Sequence, residues 1–395
     1  MSARALSRLR REVTCRRLRW FASAALPSTS EGVFELPNFA LQSGETLSGV
    51  RLVYKTYGDA LLPVILHPTS FDARHPDLEY VIGPGRILDT SKYRVVVPAR
   101  RRGPSASQPH AAHPEHAGQR AVEQSQQQAA RRWLSCGVCW GQRAAAGTTQ
   151  ALSSLLHALS RFAQHLMLTQ HLGVLSLALV YGYSMGAMQA LHFAALFPSF
   201  VHRVVATAGT ASCGQYNAVF LEGLLAILRS SEEFVAGDGF CASPPKRALA
   251  AFGRVYAGWG LPVEWYRAEM WRAHGFASLE DFMSRSFEAW TVNADANDLH
   301  AMLRTWRAGN IGAAVGVTSD SEALSRITAK VVFCASPGDR YFPIEEIRAE
   351  AACIKGAQVV ELMREWGHRA GDPHRPGQER DFELIKGTVA QLLAE

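Results

Sequence analysis

Two alternating apolar and polar segments near the start of the chain predict an antiparallel hairpin, VFELPNFAL and GVRLVYKTYG, joined by the polar QSGETLS. Short apolar runs rich in β-branched residues follow, as is typical of buried parallel strands: LPVILHP, KYRVVVPA, LALVYGYS, HRVVATAG, AKVVFCASPGD and AQVVELM. Helical periodicity separates several of them, as in EEIRAEAACI and DFELIKGTVAQLLAE. The pattern therefore predicts an α/β fold with a mostly parallel central sheet.

A helical block interrupts this alternation between about Ala211 and Arg326. It contains NAVFLEGLLAILRS, PVEWYRAEMWRAHG and SLEDFMSRSFEAW, and it carries most of the tryptophans. We expect residues 211–325 to form a cap inserted into a core of residues 33–99, 155–210 and 326–395. The tryptophans and phenylalanines of the cap are then packing residues rather than a surface on which nucleic-acid bases stack.

Residues 100–154 have a different composition from the rest of the chain. They are rich in Ala, Gln and Arg, poor in branched apolar residues, and show no sustained period. We interpret them as a low-complexity insertion that cannot bury a core. They include a CxxC pair and three histidines, but one CxxC with irregular histidines is a weak zinc signal, and we predict no metal site: Cys136, Cys139, His110, His113 and His116.

The formal charge of +6 arises in the N-terminal thirty residues. This segment carries seven arginines against one acidic residue, Glu12, so the remainder is near neutral and offers no basic patch for nucleic acid. An Arg-rich, Ser-containing, acid-poor segment is typical of an organelle transit peptide, so residues 1–30 predict a mitochondrial address, with a disordered basic tail and a cytoplasmic protein as the alternative. No apolar run is long enough for a membrane span.

Seven scattered cysteines, an odd number, argue against a disulfide framework and for a reducing compartment. Apolar content of 48% and charged content of 19% indicate a chain with a sizeable core. These features favour a protein that acts on a small molecule. The sequence leaves a homodimer open.

The segment LALVYGYSMGAMQALHFAALFP places Ser184 between Gly182 and Gly186 where a strand pattern turns into a helix pattern. Such a turn exposes a strained serine above the sheet, and the small flanking residues avoid steric clashes. The backbone N–H of Met185 would then point at the position of a developing oxyanion. The alternative is a tight turn without chemistry.

A nucleophilic serine needs a base and an orienting acid, in the chain order serine, acid, histidine for this architecture. Asp339 follows the strand AKVVFCASP, and His368 lies in REWGHRAGDP after the last strand. The alternatives are that Asp339 caps the helix beginning near Pro343 and that His368 is an ordinary loop histidine. The loop LHPTSFDARHPD would supply a second oxyanion donor from the backbone near Thr69 or Ser70, unless it is a plain connection.

These residues resemble the homoserine O-acetyltransferase-like branch of the α/β-hydrolases. The resemblance covers about residues 33–98 and 159–395, and its most specific segments are Ser-Met-Gly-x-Met-Gln at 184–189 and Trp-Gly-His-x-Ala-Gly at 366–371. It implies an α/β-hydrolase fold with the cap before the acid-bearing strand. It also implies a triad of Ser184, Asp339 and His368, no permanently bound cofactor, and acetyl-CoA as cosubstrate for acyl transfer to a small hydroxylated acceptor.

The chain departs from that family in two places. Such transferases usually carry a basic residue, often Arg, after the strand that follows the nucleophile helix, whereas this stretch reads ATAGTASCGQYN with Ser212 or a neighbour in its place. The family sequence that would lie between Pro98 and Leu159 is replaced by the low-complexity stretch. Two alternatives therefore stay open beside the transferase: an esterase-type hydrolase with the same triad, and a catalytically impaired family member.

Overall fold

The computed structural model describes residues 29–40, 46–99, 161–237 and 239–395. An eight-stranded sheet runs through them in the order β1-β2-β4-β3-β5-β6-β7-β8. Its strands are Thr29–Ala40 (β1), Thr46–Tyr57 (β2), Val64–Leu66 (β3), Arg94–Ala99 (β4), Leu177–Tyr183 (β5), Arg203–Thr207 (β6), Lys330–Ala335 (β7) and Gln358–Glu361 (β8).

The pairing of these strands agrees with the hydrophobic pattern. β1 and β2 form an antiparallel hairpin, β2 pairs antiparallel with β4, and the pairings from β4 through β3 to β8 are all parallel. Central strands such as β5 and β6 are apolar almost throughout because helices cover both faces of a parallel sheet. The predicted α/β fold is confirmed.

Six helices of nine or more residues have defined bounds: Met185–Leu196 (α1), Gln215–Arg229 (α2), Lys246–Gly260 (α3), Ala296–Arg307 (α4), Ile344–Ala352 (α5) and Glu379–Ala394 (α6). Shorter α-helices are His75–Leu78, Glu232–Ala236, Val263–Arg267, Leu279–Phe282, Ala289–Thr291, Ile311–Val315 and Asp320–Ser325. Residues 161–166 are helical and continue into the π-helix Met167–His171; a second π-helix is Met283–Glu288. The 3₁₀ segments are Glu79–Val81, Met270–His274 and Arg364–Gly371.

Every helix between β6 and β7 belongs to one block, which includes α2, α3 and α4. Its interior is aromatic: Phe220 lies 4.7 Å from Trp259 and 5.5 Å from Tyr256, measured between ring centroids. A buried cluster of this kind holds the short helices together, since helices of four to six residues have little stability of their own. The block occupies the position of the cap; its exact limits stay a prediction.

Several expectations fall on residues outside the described part of the chain. The transit peptide lies almost wholly in residues 1–28, and the low-complexity insertion with its cysteines and histidines lies in residues 100–160. The mitochondrial address therefore stays a prediction. Within the described ranges, no helix is long and apolar enough to cross a membrane, and no group of three or more His, Cys, Asp or Glu side chains could hold a metal ion.

Candidate active site

Ser184 occupies the sharp turn between β5 and α1. Its backbone has φ 58° and ψ −123°, a conformation that residues with a Cβ rarely adopt. The turn is held by the Ser184 N–H, which donates to the Thr207 carbonyl at 2.9 Å, and by the Ser184 carbonyl, which accepts from the N–H of Ala187 at 2.9 Å. The strain places the hydroxyl at the carboxyl edge of the sheet, where ligands bind in open α/β folds.

The structure brings the predicted serine, histidine and acid into one hydrogen-bonded chain. His368 Nε2 lies 3.0 Å from Ser184 Oγ, and His368 Nδ1 lies 2.8 Å from Asp339 Oδ2. With the proton on Nδ1, the histidine donates to the carboxylate and its Nε2 is free to accept the serine proton. All three side chains are buried. This geometry is that of a base poised on a nucleophile.

Asp339 does not cap the helix that begins after Pro343, which was the alternative interpretation. Its Oδ1 accepts from the backbone N–H groups of Tyr341 at 2.8 Å and Phe342 at 3.1 Å. These two bonds fix the carboxylate so that Oδ2 faces His368. The acid thus sits in a local turn of its own chain, and the Tyr341 hydroxyl of that turn donates to the Tyr256 carbonyl of the cap at 3.2 Å.

His368 is a buried residue on a 3₁₀ segment rather than a surface loop histidine. Three aromatic rings surround the imidazole: Tyr341 at 4.6 Å, Tyr183 at 5.0 Å and Phe342 at 5.7 Å between centroids. Packing on several sides restricts the ring to few orientations. The imidazole is therefore positioned by shape as well as by its two hydrogen bonds.

A half-buried ionic cluster centred on the buried Asp372 follows His368 in the chain. The carboxylate of Asp372 contacts the guanidinium of Arg369 at 3.2 Å and that of Arg375 at 3.5 Å, and also His374 at 3.1 Å. Although burial alone would raise the pKa of Asp372, the hydrogen bond with His374 and the two guanidinium groups hold it well below its usual range. Asp372 therefore stays ionised and fixes the turn that follows His368.

The loop after β3 lies against the start of the nucleophile helix. A Cβ added to Gly186 would lie 2.7 Å from the Pro68 carbonyl oxygen, and the Gln189 side chain donates to the Thr69 carbonyl at 2.7 Å. Thr69 and Ser70 are therefore beside the elbow. Met185 is the first residue of α1, so its N–H has no acceptor within the helix.

His67 begins this loop and is deeply buried. Its Nδ1 lies 2.8 Å from the Tyr181 carbonyl, to which it donates. Burial lowers the pKa of His67 to about 4, so the ring is neutral at neutral pH. A neutral ring with one fixed hydrogen bond anchors the loop to β5.

The loop after β6 holds no cation where the transferase branch usually has one. The N–H groups of Ala211 and Ser212 donate to the carboxylate of Glu350 at 2.7 and 3.2 Å, and the Ser212 hydroxyl accepts from the Ile311 N–H at 3.0 Å. Burial, together with the charges of Asp320 and Glu346, raises the pKa of Glu350 to about 8. This segment is tied to its neighbours through an acidic group.

Sequence reasoning did not find the residues that support the site. Gln189 lies in the Ser-Met-Gly-x-Met-Gln segment without a role assigned to it there, and no local motif marks Glu350. Of these residues, Gln189 could have been found most readily from the sequence, because a polar residue on an otherwise apolar buried helix must find a hydrogen-bond partner.

Comparison with known proteins agrees with this fold. Residues 137–240 match the family model of the alpha/beta hydrolase fold. The ethyl acetate hydrolase of Pseudomonas veronii is 27% identical over 351 residues, covering 86% of this chain and 90% of that protein. The homoserine O-acetyltransferase of Natronomonas pharaonis is 24% identical, covering 91% of this chain and 93% of that protein.

Solved structures are similar over nearly the whole chain. The acetyl esterase MekB superposes with a TM-score of 0.76 at 24% identity, covering 93% of this chain and 97% of that one. The homoserine O-acetyltransferase from Bacillus anthracis gives 0.69 at 19% identity, covering 93% and 98%. The chain has the α/β-hydrolase fold, and the proteins it is similar to include both esterases and acetyltransferases.

Proposed function

We propose that this protein is an acyl-transfer enzyme that forms an acyl-enzyme on Ser184, with short-chain esters as donors and water as the leading acceptor. The observation that carries the proposal is the hydrogen-bonded chain from Ser184 Oγ through His368 to Asp339. Its placement on a strained turn at the edge of a parallel sheet supports a catalytic role over a structural one.

In the proposed reaction, Ser184 Oγ attacks the ester carbonyl while His368 Nε2 takes the hydroxyl proton. Asp339 stabilises the imidazolium through Nδ1–H and holds the ring in position. The oxyanion of the tetrahedral intermediate faces the N–H of Met185 and an N–H from Thr69 or Ser70. When the intermediate collapses, the alcohol leaves with the proton from His368, and the acyl group stays on Ser184.

The second half-reaction repeats these roles with a new nucleophile. His368 takes a proton from water, the hydroxide adds to the acyl carbon, and the carboxylic acid leaves as Ser184 regains its proton. The loop after β6 supports water over an amino-acid acceptor. The N–H groups of Ala211 and Ser212 are already bound to Glu350, so this loop offers an acceptor's carboxylate neither those donors nor a basic side chain of its own.

Acetyl transfer from acetyl-CoA to a small hydroxylated acceptor is the second candidate. It is supported by the Ser-Met-Gly-x-Met-Gln and Trp-Gly-His-x-Ala-Gly segments and by relatives named homoserine O-acetyltransferase. The two candidates share every step up to the acyl-enzyme. They differ only in whether water or an alcohol removes the acyl group.

The test compares the full chain with Ser184→Ala, using the exposed Ser325→Ala as a matched control. We expect the wild type and Ser325→Ala to hydrolyse p-nitrophenyl acetate and to be labelled by a fluorophosphonate. Ser184→Ala should do neither. Release of CoA from acetyl-CoA is then measured with and without L-homoserine. Release that requires homoserine would make the transferase the function, and failure to label Ser184 would identify an impaired family member.

A further inference from the structure

The cap makes direct polar contact with the loop expected to bind the oxyanion. The Trp290 indole Nε1–H, from the short helix Ala289–Thr291, donates to Asp72 Oδ2 at 2.8 Å. Asp72 lies two residues after Ser70. A hydrogen bond from a neutral donor to a carboxylate is among the stronger ones in proteins.

The same loop residue is also bound through its backbone. The Asp72 N–H donates to the thioether sulfur of Met302 on α4 at 3.2 Å, and Asp72 has φ 54°, in the left-handed region. A non-glycine residue in that region is held there by its surroundings. The cap therefore fixes both the side chain and the backbone conformation of Asp72.

The neighbouring residue Phe71 packs against the cap through its ring. It stacks on Tyr256 at 5.9 Å and contacts Trp306 at 5.9 Å and Trp290 at 6.4 Å between centroids, all three from the cap block. Such contacts restrict the loop from the cap side. On the opposite side, Gln189 of the nucleophile helix binds the Thr69 carbonyl.

We propose that Trp290 and Asp72 are positioning residues that set the oxyanion-binding N–H groups of Thr69 and Ser70. The cap thereby takes part in stabilising the transition state, beyond covering the site. The inference rests on the proposed function. Donors in an oxyanion hole act only when their direction is fixed before the reaction, so loosening the loop should lower kcat more than it raises KM.

The test uses Trp290→Phe, which keeps an aromatic ring but removes the N–H. Trp265→Phe is the matched control, because Trp265 is a buried tryptophan of the cap that packs on Phe282 at 4.8 Å between ring centroids. Asp72→Asn is the conservative variant, since the Asn oxygen still accepts from Trp290 and Asn tolerates the left-handed conformation.

Two measurements separate loop order from catalysis. Hydrogen exchange at residues 67–74 reports the loop and needs no activity. The second measurement concerns oxyanion binding. It uses the rate of p-nitrophenyl acetate hydrolysis and the affinity for a trifluoromethyl ketone that forms an oxyanion on Ser184. For Trp290→Phe we expect faster exchange, kcat lower by about tenfold to a hundredfold with KM within about threefold, and a parallel loss of ketone affinity. Trp265→Phe should stay within about threefold of the wild type, and Asp72→Asn should lose less activity and less ketone affinity than Trp290→Phe.

Unchanged exchange in Trp290→Phe, or faster exchange with unchanged kcat and ketone affinity, would overturn the inference. An equal loss in Trp265→Phe would do the same, because the effect would then be general weakening of the cap. If the wild type neither hydrolyses esters nor binds the ketone, the proposed function fails instead. The exchange data then decide by themselves whether Trp290 orders the loop.

Discussion

Gly182 and Gly186 pack backbone against backbone across the turn that carries Ser184. A Cβ placed on Gly182 would lie 2.1 Å from the carbonyl oxygen of Gly186, well inside the closest approach of real atoms. Neither atom belongs to a flexible side chain, so the backbone itself would have to shift. The first glycine of the motif is therefore required by steric exclusion at the nucleophile.

We expect Gly182→Ala to destabilise the fold by about 3 kcal/mol or more and to remove activity, because the elbow cannot close. The control is Gly223→Ala on α2, where an added Cβ meets nothing within 4 Å. Alanine there should stabilise the protein by about 0.5–1 kcal/mol. Urea unfolding of both variants measures the difference, and wild-type stability in Gly182→Ala would contradict this steric account.

Replacing Asp339 by Asn should separate folding from catalysis. The Asn oxygen can still accept from Tyr341 and Phe342, so thermal unfolding should change little. The amide nitrogen then faces His368 Nδ1 and favours the tautomer whose Nε2 carries the proton. We expect kcat to fall by about 10³–10⁴. Near-normal kcat would mean that Asp339 is not the orienting acid.

Cys213 lies in the loop after β6 and is the obvious alternative nucleophile to exclude. Burial, with a smaller contribution from the Glu346 charge, raises the pKa of its thiol to about 12. At pH 8 about one molecule in ten thousand would then carry the reactive thiolate. We expect iodoacetamide to leave Cys213 unmodified and activity intact, as measured by mass spectrometry beside the urea-unfolded protein. Activity loss that follows modification of Cys213 would contradict this.

Glu350 should make stability depend on pH. Its pKa is raised from 4.5 in the unfolded chain to about 8 in the folded protein, so the folded state binds the proton more tightly. The resulting stabilisation is complete below pH 4.5 and is lost as pH rises to about 8. Compared with a variant that lacks this ionisation, the wild type should therefore lose melting temperature over this interval, because the half-buried Glu350 carboxyl group becomes charged.

Glu350→Gln removes that ionisation, so its melting temperature should lack this contribution to the pH dependence. The control is Glu345→Gln, an exposed residue on the same helix, which should melt in parallel with the wild type at every pH. Melting temperatures at pH 5, 6, 7, 8 and 9 test both variants. A difference in melting temperature between the wild type and Glu350→Gln that stays constant from pH 5 to 9 would contradict the prediction.

Local sequence patterns predicted much of the fold and identified the candidate site residues. Alternation in residues 33–57 and apolar runs such as LALVYGYS predicted the hairpin and the parallel strands, because side-chain periodicity follows directly from burial on one or two faces. The glycines around Ser184 predicted the turn because small residues avoid steric clashes there, which is also a local effect. Asp339 and His368 were identified because each follows a predicted strand and the two continue the order serine, acid, histidine.

Only the tertiary structure decided how these residues meet and what supports them. The 3.0 Å from Ser184 to His368 joins positions 184 residues apart, and no pattern in the sequence fixes such a distance. The bond between Asp72 and Trp290 spans 218 residues and depends on how the cap packs on the core. Periodicity records which face of an element is buried, whereas the partner on that face is chosen by packing and hydrogen-bond satisfaction across the whole fold.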